Sequence, residues 1–248
     1  MSILVIEHSA ISRANRLGTA LTRYGHRLDT RRMHLGDPLP ESMDGYDGLI
    51  IMGSPERIND ASVAHVASEQ ALACDAHDRN LAVLGICFGA QVLATALGGT
   101  VGALEDGVRI GVHRVTQTTA GHDDAVLSGL PWAMDCYHWN HDVATSLPED
   151  AVLLATGPAG DSQIWRLGVR TYAVQFHPEM SPATIDVIIA EDRPDLEEAK
   201  RRGEDVHHEV AEAWPTYERL TDRLMSNIAL LLMPLDQRML DSVRELRH

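Results

Sequence analysis

Residues 81–99, "LAVLGICFGAQVLATALGG", join an apolar run, a cysteine held between two glycines, and a second apolar stretch of different spacing. "LAVLGI" (81–86) is short and apolar enough for a buried strand. Beyond Cys87, the residues Val92, Leu93, Ala96 and Leu97 recur at helical spacing, and Gly98-Gly99 ends the helix. Strand, G-x-C-x-G, helix is the form of a nucleophile elbow with sulfur in place of a hydroxyl. The glycines let strand and helix cross closely, and the cysteine takes a sharp turn at the helix N-terminus. There the helix dipole and free N–H groups favour a thiolate, and the Phe88 N–H is offered to an oxyanion. A free cysteine is equally a common apolar filler, so the motif alone leaves packing and chemistry evenly matched.

Outward from the elbow the same rhythm recurs. "SILVIE" (2–7) and "YDGLIIMG" (46–53) read as buried parallel strands. "SAISRANRLGTALTRYG" (9–25), with Ser9 as N-cap and Gly25 as C′ glycine, and "ASVAHVASEQALACDAHD" (61–78) read as the helices between them. This alternation predicts an α/β fold: an open, mostly parallel twisted sheet with helices on both faces. Between 108 and 176, "VRIGVHRV", "AVLLAT", "SQIWRL" and "RTYAVQF" are strand-like pieces joined by turns, which predicts an antiparallel or mixed sheet edge. Beyond Pro182 the pattern is helical, with "DLEEAKRRGEDVHHEVAEAW" (195–214) charged and amphipathic and "YERLTDRLMSNIALLL" (217–232) more apolar. Residues 1–190 are expected to form one α/β domain and 191–248 a helical C-terminal extension packed on it, too short for an independent ATP-using domain.

Composition narrows the classes. Of the 248 residues 44% are hydrophobic, enough for a core, and a formal net charge of −15 disfavours nucleic acid or an anionic membrane as partner. The N-terminus lacks a basic segment and a cleavage-like site, and "IALLLM" is too short to span a bilayer. Cys74, Cys87 and Cys136 make neither a disulfide framework nor a zinc knuckle. A reduced, cytoplasmic protein is the expectation; the oligomeric state is left open.

A thiolate nucleophile needs a base, and the base an orienter. "YAVQFHPEM" (172–180) ends an apolar run at His177, with Glu179 two residues on. Strand periodicity would set the two side chains on one side, so that Glu179 holds one tautomer of the imidazole. Alone, this is as readily a solvated strand-end turn. Together, two such motifs at strand ends, where open parallel sheets bind ligands, make a Cys-His-Glu triad hypothesis.

At these residues the sequence resembles a known family. "GICFGAQ" and "AVQFHPE" are similar to the two signature segments of the class I (triad) glutamine amidotransferases, especially the glutaminase domain of GMP synthetase and its stand-alone relatives, over about residues 1–190. The resemblance implies Cys87 as nucleophile, His177 as general base and acid, and Glu179 as orienter. "GLIIMGSPERIND" (48–60) resembles the family's Gly-Gly-Pro loop, with Ser54 replacing the second glycine; Gly53 and Phe88 then stand as oxyanion donors. Gln91 resembles a substrate-contacting position. "HWNHDVATSLP" (138–148) looks like the family's His-Gly-Asp segment, which puts Asn140 and His141 near the amino-acid end of the substrate. The implied reaction is hydrolysis of glutamine to glutamate and ammonia through a thioester, with ammonia passed to a separate synthetase and no cofactor.

Other features invite less. His138, His141 and the pair His207-His208 lack metal-ligand spacing, so no metal is expected. Cys74 and Cys136 read as packing. No P-loop or G-x-G-x-x-G follows a strand, and the charged mix at 191–212 reads as a solvated helix face. The apolar stripe at 217–232 is expected to pack on the core. Two other functions stay open: a γ-glutamyl amide or peptide hydrolase with no acceptor partner, and a non-catalytic glutamine-binding regulatory subunit.

Overall fold

The computed structural model of the chain describes residues 2–60, 63–105 and 107–233. The first half alternates strand and helix: β1 (Ser2–Glu7), α1 (Asn15–Arg23), β2 (Leu28–Arg32), β3 (Tyr46–Ile51), α2 (Val66–Asp78), β4 (Ala82–Ile86) and α3 (Phe88–Ala96). The second is strand-rich: β5 (Thr100–Ala103), β6 (Arg109–Gln117), α4 (Thr119–His122), β7 (Ala133–Asn140), β8 (Asp142–Ser146), β9 (Val152–Thr156), β10 (Ser162–Leu167) and β11 (Thr171–Val174). Then come α5 (Pro182–Glu191), α6 (Arg193–Glu198) and α7 (Gly203–Asn227), the last running into a π-helical turn at Ile228–Leu232.

Nine strands form one sheet in the order β2-β1-β3-β4-β11-β10-β9-β6-β7, and β5 pairs with β8 in a separate antiparallel ribbon. The pairings from β2 through β11 are parallel. Those from β11 outward to β7 are antiparallel. Because strand side chains alternate, the apolar runs feed two cores. Ile3, Val5, Ile50 and Leu84 face one side with Leu17 and Leu21 of α1. Leu4, Ile6, Leu49, Ile51 and Val83 face the other with Leu72 of α2 and Leu93 of α3. Parallel strands covered on both faces must be apolar throughout, which is why these runs were legible.

α7 joins the first core through Val206, Val210, Tyr217, Leu224 and Met225, with Ile228 and Leu232 just beyond. It is pinned to α1 through Arg16, which donates to Thr221 Oγ1 at 3.0 Å and Asp222 Oδ1 at 2.7 Å and lies over the Trp214 ring. The 217–232 stripe lies against this core apart from the exposed Leu230 and Leu231, and residues 234–248 of the expected C-terminal extension lie outside the described residues.

Three local expectations are corrected. Ser9 does not cap α1, which begins six residues later; its hydroxyl accepts from the N–H groups of Ile11 and Ser12 and closes a turn in the preceding loop. Gly25 does end α1, at φ 86°: its N–H reaches the Thr22 carbonyl and that of His26 reaches Leu21, a Schellman closure. The charged stretch 195–214 is not one helix. Lys200 adopts φ 53° and the N–H of Arg201 returns to the Leu196 carbonyl, ending α6. Gly203 then starts α7 against Ile189, where a Cβ would stand only 2.6 Å from the side chain. Third, β11 ends at Val174, so His177 and Glu179 lie in a turn and strand periodicity does not align them.

Candidate active site

Two glycines allow the elbow to form. A Cβ on Gly85 would collide with the backbone of Gly89, and a Cβ on Gly89 with the carbonyl of Ile51. With neither present, α3 starts directly against β3 and β4. Cys87 between them takes φ 53°, ψ −106°, a conformation that non-glycine residues rarely adopt. Its N–H bonds to the Val174 carbonyl at 2.8 Å, which locks the turn to the end of β11. The thiol is buried in the pocket wall, its Sγ 3.8 Å from the Trp139 carbonyl.

His177 and Glu179 follow β11, the neighbour of β4, so the sheet order carries them to the elbow. The N–H of His177 bonds to the Tyr137 carbonyl at 3.0 Å, and its own carbonyl accepts from the Tyr217 hydroxyl at 2.8 Å. Nδ1 of His177 lies 2.9 Å from Glu179 Oε1, both side chains buried. Burial works against a charged imidazole. The charges and hydrogen bonds of Cys87 and Glu179 outweigh it and hold His177 well above its ordinary value. The structure therefore brings Cys87, His177 and Glu179 together.

Gly53 sits against this pair. A Cβ there would lie 3.1 Å from His177 Cε1 and 3.8 Å from Cys87 Cβ, so only glycine leaves the ring undisturbed. The Gly53 carbonyl accepts from His8 Nδ1 at 3.0 Å. Phe88, the first residue of α3, is buried beside His8. Beyond Gly53, the Ser54 hydroxyl accepts from the Glu56 N–H at 3.1 Å, a local closure that a second glycine could not make.

Two cavities meet at Cys87. The larger, about 320 Å³, runs from Cys87 and His177 past Ile11, Met180 and Ile188 to Asp192. The smaller, about 60 Å³, is polar, and Gln91, Asn140 and His141 line it. Gln91 Nε2 donates to the Asp142 carbonyl at 2.9 Å, and Asn140 Nδ2 to the same oxygen at 3.0 Å. Asn140 Oδ1 is buried without a hydrogen-bond partner among the described residues. His141 Nε2 pairs with Asp195 Oδ2 at 2.9 Å, a bond that raises the imidazole above its ordinary value.

Asp142, the last residue of the Asn140-His141-Asp142 segment, also belongs to this wall, as do Arg57, Trp139 and Asp195, which were not singled out from the sequence. Arg57 makes a forked ion pair with Asp142 at 2.9 and 2.5 Å, while Asp195 also accepts from Trp139 Nε1 at 2.8 Å. The 191–212 segment is thus not merely a solvated face, because Asp192 and Asp195 close the cavity. The junction of α5 and α6 at Asp192 places them there, and charge patterning carries no such signal.

The family model for Glutamine amidotransferase class-I matches residues 8–193, and the chain belongs to that family. It is 28% identical over 206 residues to the glutamine amidotransferase-like protein YfeJ of Salmonella typhimurium, covering 81% of this chain and 84% of that one. It is 34% identical over 143 residues to the glutamine-hydrolyzing GMP synthase of Porphyromonas gingivalis, or 57% of this chain but only 26% of that longer protein. Gamma-glutamyl peptidase 5 of Arabidopsis thaliana is 31% identical over 174 residues, 66% of either chain. Among solved structures, a glutamine amido transferase from Methylobacillus flagellatus superposes with a TM-score of 0.82 at 22% identity, over 95% of this chain and 97% of that one, a likeness of fold. Among the described residues no helix is long and apolar enough to cross a membrane.

Proposed function

We propose that the chain hydrolyses a γ-glutamyl amide through Cys87, His177 and Glu179, with the side-chain amide of glutamine as the first candidate substrate. The observation that carries the reading is the strained elbow that presents Cys87 to an imidazole whose far nitrogen is held by a buried carboxylate. The thiolate attacks the amide carbonyl, and the N–H groups of Gly53 and Phe88 receive the oxyanion; one such donor is worth about 3 kcal/mol. His177 protonates the departing nitrogen, which leaves as ammonia or amine. It then takes a proton from water, and the resulting attack on the thioester releases glutamate and regenerates Cys87. The polar cavity holding Arg57, Gln91, Asn140, His141 and Asp142 suits the zwitterionic end of the substrate. In the first reading ammonia passes to a separate synthetase in the cytoplasm, by analogy with the GMP synthases.

A second reading, a γ-glutamyl amide or peptide hydrolase without an acceptor partner, is favoured by one specific feature. The larger cavity of about 320 Å³ on the Cys87–His177 side exceeds what departing ammonia requires, and its walls offer Ile11, Pro55, Met180 and Ile188 beside Ser9, Ser12, Glu191 and Asp192 to a bulkier leaving group. One experiment separates them. Purified protein is given glutamine or a panel of γ-glutamyl amides, and ammonia, amine and glutamate are measured beside Cys87→Ala. Turnover of glutamine supports the first reading, and turnover of the bulkier amides alone the second. Activity that survives Cys87→Ala refutes both.

A further inference from the structure

Behind the oxyanion loop lies a cluster that the proposed hydrolysis does not use. His8 follows β1, His65 directly precedes α2, and Glu69 lies in the first turn of α2. His8 Nε2 and His65 Nδ1 both point at one oxygen, Glu69 Oε1, from 2.9 and 2.8 Å. The two rings stand 5.1 Å apart, and Glu69 is fully buried.

The outer nitrogens decide what the inner ones can be. His8 Nδ1 faces the Gly53 carbonyl at 3.0 Å, an acceptor only, so Nδ1 carries a hydrogen. His65 Nε2 faces Glu56 Oε2 at 2.8 Å, and an ionised carboxylate is likewise an acceptor only. In the neutral rings both inner nitrogens are then lone pairs aimed at a carboxylate oxygen. Three electron-rich atoms, mutually within 4.8 Å in a buried place, need a cation between them. Protons on the inner nitrogens would serve as well, and the contact with Glu69 does raise His65 above its ordinary value, so a proton and a metal ion compete for this place. His65 Nδ1 has no acceptable hydrogen bond despite its 2.8 Å approach, and Glu69 Oε2 has no partner among the described residues.

We propose that His8, His65 and Glu69 bind a divalent transition-metal ion of the zinc class. Two imidazoles and a carboxylate are a common three-ligand set for zinc, and each imidazole already donates its other N–H to a carbonyl or a carboxylate, as metal-bound histidines do. Tetrahedral bonds of about 2.0–2.2 Å place ligand atoms about 3.4 Å apart, so the two nitrogen–oxygen separations of 2.9 and 2.8 Å would each open by about half an ångström. An ion here ties the end of β1 to the start of α2 and, through His8, holds the Gly53 carbonyl. Its role is to fix the loop that carries Gly53, and it stands outside the amide chemistry. The sequence hides the site because His8 and His65 are 57 residues apart, too far to form a motif.

The whole chain, stripped with chelator and dialysed, is titrated with Zn²⁺ for stoichiometry and with Co²⁺ for its visible ligand-field band. One equivalent bound per chain with a band of low-coordinate Co²⁺ is expected, together with a rise in melting temperature. His8→Gln and Glu69→Gln each weaken Zn²⁺ binding at least about tenfold, while His207→Gln on the exposed face leaves it unchanged. Absence of saturable one-to-one binding to the wild-type protein overturns the proposal. So do equal affinity in Glu69→Gln and wild type, or ¹⁵N spectra showing His8 and His65 doubly protonated with Zn²⁺ present. None of these readouts depends on amide turnover.

Discussion

Gly53→Ala tests the geometry of the active site with a single carbon. The new Cβ would stand 3.1 Å from Cε1 of His177, whereas carbon atoms in ordinary contact lie at about 3.6 Å. About half an ångström must be found. Cys87 does not have to supply it, because its Cβ is 3.8 Å from the added methyl, already at ordinary contact. The displacement falls on the imidazole, which is buried and held on Nδ1 by Glu179 at 2.9 Å. If misplacing a reacting group by 1 Å costs about a hundredfold, half that shift costs about tenfold, about 1.4 kcal/mol of transition-state stabilisation. Because the methyl touches the base and leaves the polar cavity alone, kcat should fall while KM changes less than twofold. The assay is steady-state release of glutamate from the best substrate of the panel, with a thermal melt and the His177 Cε1–Hε1 resonance as controls. A variant with wild-type kcat whose His177 resonance has shifted would show that imidazole position does not limit the reaction. A tenfold loss carried entirely by KM would equally refute the reasoning.

Four other outcomes are expected. Gly89→Ala puts a Cβ against the Ile51 backbone, which cannot yield as a side chain does, and should lose more than about 3 kcal/mol in denaturant titration with the elbow disrupted. Tyr217→Phe leaves the His177 carbonyl without its 2.8 Å donor and should lose about 2 kcal/mol, a fall of about 4–8 °C in melting temperature, with a smaller effect on kcat. Cys87 and Glu179 hold the His177 imidazolium to higher pH than usual despite burial, so activity through a thiolate–imidazolium pair should persist above the ordinary histidine range. Activity is then lost as pH rises through that raised value, and Glu179→Gln should draw the alkaline limb of kcat/KM down toward neutrality. His138 is fully buried and its imidazole is pushed down to about 3, while the unfolded chain binds that proton near 6.5. Stability should therefore fall as pH drops from about 6.5 toward 3, by up to about 5 kcal/mol, and His138→Gln should flatten that slope in urea midpoints measured against pH.

The parallel half of the sheet was legible because strands buried on both faces must be apolar along their whole length, as "SILVIE" and "LAVLGI" are. Edges obey no such rule. β2, "LDTRR", has one apolar residue and is recognisable only by its parallel register beside β1, where Asp29 takes the Tyr46 hydroxyl at 2.6 Å. β7, "AMDCYHWN", mixes acidic, thiol and imidazole groups with aromatics, because it both closes the sheet and presents Trp139 and Asn140 to the cavity. A strand serving packing and a site at once has no clean period to read.

The same division runs through the site. The three residues proposed for chemistry were legible because each sits in a short covalent context: glycines around Cys87, and a Pro between His177 and Glu179. Strand periodicity does not align the second pair: a turn and two backbone bonds, to Tyr137 and from Tyr217, hold them after the strand has ended. Residues that shape the cavity are held by partners distant in the chain: Arg57 by Asp142, and Trp139 and His141 by Asp195. Such pairs leave no spacing in a single sequence. On the proposed reading, the attacking groups lie in motifs, and substrate selection would fall to these long-range pairs. Arg57→Ala, Asp195→Asn and Asp142→Asn should accordingly redistribute turnover among glutamine and the γ-glutamyl amides while the Cys87 thiol keeps its reactivity toward a small alkylating reagent. Loss of that reactivity in the same variants would place these pairs in the chemistry itself.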